Sequence, residues 1–208
     1  MILLTIEFDI FTWRDIQRIC GAVTEKKETP YDMLPYIKFD CADGQVAVTG
    51  ANAYQLSRLN CACSYMTPPD QITFFLPPIK APGGTRAVSV SPNMADGHYV
   101  CFLDGKGNII SDSYYTVPDG QYIQDELLLK KTQEDIVSRH HGFGDYFISV
   151  DTKLLLSALE GMRESEAVVF NFSDPIRAFM IRPTDLDAVA IVLPRRESEN
   201  KTVMTIRL

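Results

Sequence analysis

Apolar residues at Ile2, Leu4, Ile6 and Phe8 fall on every second position, which predicts a strand over 2–8. The period then changes. Trp13, Ile16, Ile19, Cys20 and Val23 recur at helical spacing and predict a helix over 12–25, opened by Thr12-x-x-Asp15 in the pattern of a capping box. Strands follow at 36–41 and 45–50, joined by the turn pair Asp43-Gly44, with another at 54–63. The same order returns near the C-terminus: a strand at 147–150, then a helix over 152–163 capped by Asp151, with Leu154, Leu155, Ala158, Leu159 and Met162 on one face. Three strands at 167–172, 176–182 and 188–193 complete it, the first two reversing at Asp174-Pro175. A βαβββ unit is therefore written twice.

Between the copies, 72–77, 86–91, 98–104 and 108–117 alternate as strands, the last two joined at Asp104-Gly105-Lys106-Gly107. They read as a third copy in which "PPIKAPGGT" stands where the helix should be, since its prolines and glycines forbid one. "DELLLKKTQEDIVSRHH", 125–141, predicts a further helix whose apolar stripe fails in its middle turn.

With 208 residues, the chain can bury a sizeable core as one large domain or two small ones. No apolar run reaches membrane-spanning length, and the N-terminus lacks the basic region and cleavage site of a signal peptide. The five cysteines sit in apolar contexts without the paired knuckles of a metal site, which suits burial in a reducing cytoplasm. A net charge of −7 argues against a generally basic nucleic-acid binder, though not against one whose cations gather on a single face. No nucleophile is placed with a base, no phosphate-binding glycine loop occurs, and no histidine pair has ligand spacing. Asp185 with Asp187, and Glu164 with Glu166, read as solvated surface carboxylates. The chain is expected to act by binding, without catalysis, cofactor or metal.

The C-terminal stretch "ISVDTKLLLSALEGMRESEAVVFNFSDPIRAFMIRPTDLDAVAIVLPRR" resembles the final half-domain of the bacterial DNA polymerase III β sliding clamp. Lys153, Leu155, Leu156, Ala158 and Leu159 match that family's helix; Ser173, Asp174 and Pro175 match its turn; Ile191, Val192, Leu193, Pro194 and Arg196 match its last strand. "MLPYIKFDCADGQVAVTGANAYQLSRL" is similar to an earlier half-domain, keeping Leu34, Asp43, Gly44 and Leu56 but carrying Ala51 to Gln55 where the family has T-D-G-H-R.

The resemblance implies an α+β, DNA-clamp-like fold of repeated βαβββ units, with antiparallel sheets and helices on one face. One arrangement is a module over 1–118 with a degenerate second half, followed by a module over 119–208. The other is a single domain made of 1–64 and 147–208 with 65–146 inserted. Family members close six domains into a ring, so a chain of this length is expected to be a homo-oligomer, a trimer if a ring forms.

The resemblance further implies sequence-blind contact with double-stranded DNA. Arg14 and Arg18 lie opposite the apolar stripe of the first helix, and Lys130, Lys131 and Arg139, with His140 and His141, form the densest basic cluster. Linear peptides of the polymerase or clamp-loader type would sit in a groove lined by Leu34, Tyr54, Leu56, Ile191, Leu193 and Pro194, with Arg195 at its rim in place of the family's apolar or small residue. The implied function is a DNA-replication processivity factor. The alternative is a clamp-fold regulatory or protein-interaction module that does not encircle DNA.

Overall fold

The computed structural model describes residues 4–24, 33–42, 44–67, 71–93, 97–116, 118–138, 150–173 and 177–194. The expected strand over 147–150, apart from Val150, and the reversal at Asp174-Pro175 lie outside them.

Strand β1, Ile6–Asp9, runs directly into helix α1, Ile10–Ile16, which widens into a π-helical turn, Gln17–Gly21. The helix starts earlier than the capping-box pattern predicts, because Asp9 at the end of the strand accepts hydrogen bonds from the Phe11 and Thr12 amides. Thr12 is no cap; its hydroxyl donates to Asp9. The stripe itself is as read: Trp13, Ile16, Ile19, Cys20 and Val23 are all buried. Strands β2, Ile37–Ala42, β3, Gln45–Ala51, and β4, Gln55–Ala62, complete the first unit. After the short β5, Tyr65–Met66, come β6, Gln71–Leu76, a helix-free connection, then β7, Ala87–Asn93, β8, Gly97–Leu103, and β9, Ile109–Tyr115. Helix α2 spans Asp125–Ser138 and helix α3 Thr152–Gly161, the latter capped by Asp151 as expected. Strands β10, Val168–Asn171, β11, Phe179–Pro183, and β12, Ala188–Val192, end the described chain.

All pairings among these strands are antiparallel, and they build two sheets in the orders β5-β1-β7-β8-β9 and β10-β11-β12-β4-β3-β2-β6. The first strand of each early unit is exchanged: β1 pairs with β7, while β6 pairs with β2. In the middle of the longer sheet β4 and β12, the last strands of the first and the C-terminal units, pair antiparallel.

Alternation sends Ile37, Phe39 and Cys41 of β2 to one face and Lys38 and Asp40 to the other. The first set meets Phe8, Trp13, Phe74, Val88 and Val100 in a core between the sheets, where Phe39 stacks on Phe74 at 4.8 Å. On the same face, farther along the longer sheet, α3 covers Phe179, Ile181, Ala190 and Val192. Thus α1 and α3 share a face. Helix α2 belongs to neither unit and covers the other one, against Leu34, Ala51, Leu56, Met180 and Ile191. Of its 14 residues only Asp125, Thr132 and Ile136 are buried, the break in its stripe that the sequence shows.

The π-helical turn approaches β3 at Gly50. A Cβ there would overlap the Cys20 carbonyl oxygen and sit 2.6 Å from the carbonyl carbon.

A histidine is sealed beside the main core. His98 of β8 is fully buried against the ring of Phe74 at 5.6 Å, and neither ring nitrogen has a hydrogen-bond partner among the described residues. Burial pushes its pKa below the usual imidazole value, so the folded chain holds it neutral. An unfolded chain takes up the proton near pH 6.5, so stability is expected to fall as pH drops from about 6.5 through the lowered folded value, by up to about 1.4 kcal/mol per pH unit. Urea midpoints of the parent and His98→Phe between pH 7.5 and 5.5 test this. The parent should lose stability across that window and the variant much less; parallel slopes would contradict it.

Candidate functional site

Two surfaces of the longer sheet carry the residues that the sequence singles out. On the α1 face, Arg14 is exposed on the side of α1 opposite Trp13 and Ile16, as expected. Arg18 is not a free cation. Its side chain is 12% exposed; the guanidinium donates to the Gly161 carbonyl of α3, bonds Asp15 at 2.6 Å and lies 4.0 Å from Glu164. It joins the two helices, and its charge is compensated locally. The outward residues of α3 and the turn after it, Lys153, Glu160, Arg163 and Glu164, balance in sign, with Glu160 and Arg163 paired.

The helix-free connection 77–86 changes the electrostatics of this face. Trp13 Nε1 donates to the Ile79 carbonyl at 3.1 Å, the Ile79 amide donates to Gln17 Oε1 at 2.8 Å, and the Ile10 amide donates to the Arg86 carbonyl at 3.0 Å. The loop is thereby laid along α1, which brings Lys80 and Arg86 beside it. The Arg86 amide donates to the Leu103 carbonyl, which sets the β8–β9 hairpin tip and Lys106 next to them. Arg14, Lys80, Arg86 and Lys106 are exposed, and none makes a salt bridge among the described residues. Sequence reasoning treats "PPIKAPGGT" as a helix breaker and overlooks Lys80 within it and Arg86 just after it; the signal was two cations bracketing prolines and glycines in a segment replacing a helix.

The opposite face is held by charge. Asp125, buried at the start of α2, bonds Lys38 at 2.9 Å and the Thr49 hydroxyl at 3.1 Å. Arg58 pairs with Glu126 at 2.5 Å, Arg177 with Asp135 at 2.6 Å, and Arg182 donates to Gln133. The Tyr122 hydroxyl donates to the Thr49 carbonyl at 3.1 Å. Although Asp40, Asp125 and Glu126 gather their carboxylates closely, Lys38 and Arg58 already supply positive charge there. Burial opposes the charge on Lys38, but hydrogen bonds to Asp40 and Asp125 hold its pKa above the usual value.

This arrangement corrects the expected groove. Leu34, Leu56 and Ile191 are 2% exposed or less, because Ile136 and its neighbours cover them. Tyr54 and Leu193 remain exposed, joined by the Leu193 amide donating to the Tyr54 carbonyl at 3.1 Å, with Pro194 half-buried beside them. Lys130 and Lys131 are exposed on α2, Lys130 lying 3.9 Å from Glu134. They stand across the sheet from Arg14. Arg139 and Arg195 lie outside the described residues.

Burial pushes Cys41 and Cys61 up to about 12, and Cys20 is raised as well, so all three stay protonated. No helix among the described residues is long and apolar enough to cross a membrane.

No protein-family model matches the sequence, and no curated protein does. Solved structures do. The fold is similar to a putative DNA polymerase III beta subunit from Eubacterium rectale, at a TM-score of 0.70 and 11% identity, covering 92% of this chain and 65% of that one. It is similar to the DNA polymerase III beta chain of Streptococcus pneumoniae at 0.70 and 13%, covering 93% and 65%. It also matches the DNA polymerase sliding clamp of Pseudomonas aeruginosa at 0.70 and 12%, covering 93% and 67%. The chain thus has the sliding-clamp fold, α+β with antiparallel sheets, over about two thirds of those chains' length.

Proposed function

We propose that this protein is a non-enzymatic, sliding-clamp-like processivity factor of the cytoplasm. It contacts double-stranded DNA through the α1 face and tethers protein partners at the opposite one. The observation that carries the reading is the group of exposed cations, Arg14, Lys80, Arg86 and Lys106, beside α1 on a clamp fold whose net charge is −7. A local positive field on an acidic protein directs phosphate to one surface and repels it elsewhere. The reciprocal exchange of β1 and β6 supports a first module over 1–118, with 119–208 extending its sheet through β12, over an inserted 65–146. The outer edge of β9 supports assembly of further copies, a trimer if the ring closes.

The direct test is duplex binding by the parent over a salt series, together with its solution mass. Binding that weakens linearly in log affinity against log salt, by a discrete homo-oligomer, is expected. Absence of binding at low salt would sink the DNA reading and leave the clamp-fold interaction module, which the balanced charge of α3 favours.

Tethering has its own test at the exposed remnant of the groove. Leu193→Asp is expected to weaken binding of clamp-type linear peptides at least tenfold, because an apolar side chain buried there contributes roughly 1.5–3 kcal/mol. Leu193 is 41% exposed, so near-UV circular dichroism should not change. Equal affinity of parent and variant would remove Tyr54 and Leu193 from any site.

A further inference from the structure

The surface beneath α2 has the make-up of a docking seat. Its floor is apolar: Leu34, Ala51, Leu56, Met180 and Ile191. Its rim is cationic, with Lys38 and Arg58 at one end and Arg177 and Arg182 at the other. The segment that fills it belongs to none of the strand-and-helix units of the fold and connects β9 to α3.

That segment fits the seat chiefly by charge. Carboxylates of Asp125, Glu126 and Asp135 meet the rim, while Ile136 is the only buried apolar side chain of α2. Tyr122, Ile123 and Leu129 pack only partly against the floor, and Leu127, Leu128 and Val137 are exposed to solvent. A better amphipathic helix with the same acidic positions would bury more apolar surface on the same floor.

We propose that the seat is a docking surface for an acidic amphipathic helix of a partner protein, and that Tyr122–Ser138 is its resident, displaceable plug. The inference rests on the tethering part of the proposed function and is independent of DNA contact. The plug keeps the apolar floor covered when no partner is present. Being part of the same chain, it competes at a raised effective concentration, so weak partners are excluded. Two pairs of its ionic hold, Arg58–Glu126 and Arg177–Asp135, are partly exposed and hence screened by salt, while Lys38–Asp125 is largely buried.

The test uses a labelled synthetic peptide of residues 119–138 added to the full chain. The triple variant Asp125→Asn, Glu126→Gln, Asp135→Asn loosens the plug and leaves the seat intact. The peptide should bind this variant saturably and at least tenfold tighter than the parent, a scrambled peptide should bind neither, and hydrogen exchange in the parent should be much faster for amides of 125–138 than for β3 and β4. Equal peptide binding by parent and variant, no binding by the variant, unfolding of the variant, or α2 amides protected like those of β3 would each overturn the proposal. Duplex binding by the parent, read separately, distinguishes failure of the plug from failure of the clamp reading.

Discussion

Charge reversal of Arg14, Lys80 and Arg86 to glutamate should reduce duplex affinity by orders of magnitude at low salt and flatten the salt dependence. Every phosphate that is no longer neutralised takes roughly 0.9 from the slope of log affinity against log salt. The side chains are exposed and outside ion pairs among the described residues, so the variant should keep its fold. Two controls come from residues that the sequence groups with Arg14. Lys130→Glu with Lys131→Glu alters the other side of the sheet and should leave the slope unchanged. Arg18→Glu removes the bonds to Gly161 and Asp15 and sets a carboxylate against Glu164, so its expected effect is on the denaturation midpoint. If the lysine pair changes the slope and the α1-face triple does not, the duplex surface has been placed on the wrong side.

The largest expected loss of stability is at Gly50. An added methyl group there would occupy the space of the Cys20 carbonyl, which is backbone and cannot rotate away. The π-helical turn would have to lift from β3, disturbing Cys20, whose thiol donates to the Val48 carbonyl at 3.3 Å, and Ile19 beneath α3. Overpacking typically costs about 1–3 kcal/mol and more where backbone must move, so Gly50→Ala is expected at or above the top of that range. Gly83→Ala, with nothing near its added carbon, should cost little by comparison. Urea unfolding of both variants measures the contrast; similar midpoints would show that the turn yields easily.

Strands were legible because their alternation is strict. Ile37, Phe39 and Cys41 against Lys38 and Asp40 fix both the element and its buried face. The second helix was legible too, since Asp151 and the stripe of α3 mark it as clearly as Trp13 and Ile16 mark the first. What escaped depends on tertiary partners. Nothing local shows that Arg18 meets Gly161, because that partner is 143 residues away. The burial of Leu34, Leu56 and Ile191 could not be read from their own strands, for the cover comes from α2, whose pattern is too weak to reveal which face it seeks. Lys80 and Arg86 were hidden by their loop, which hydrogen bonds to Trp13, Gln17 and Ile10 alone lay along α1.

The pairing of β4 with β12 also orders events in time. Its partners, from Leu59↔Ala188 to Gln55↔Val192, are separated by roughly 130 residues of chain. At about 5–20 residues per second, a ribosome needs on the order of ten seconds to deliver β12 after β4. Through that interval β3, β2 and β6 can already be in place while the β4 edge stays bare, a strand rim open to any neighbouring chain on the same message. Asn60 and Arg58 put polar and charged side chains along that rim, which makes it a poor template for aggregation during the wait.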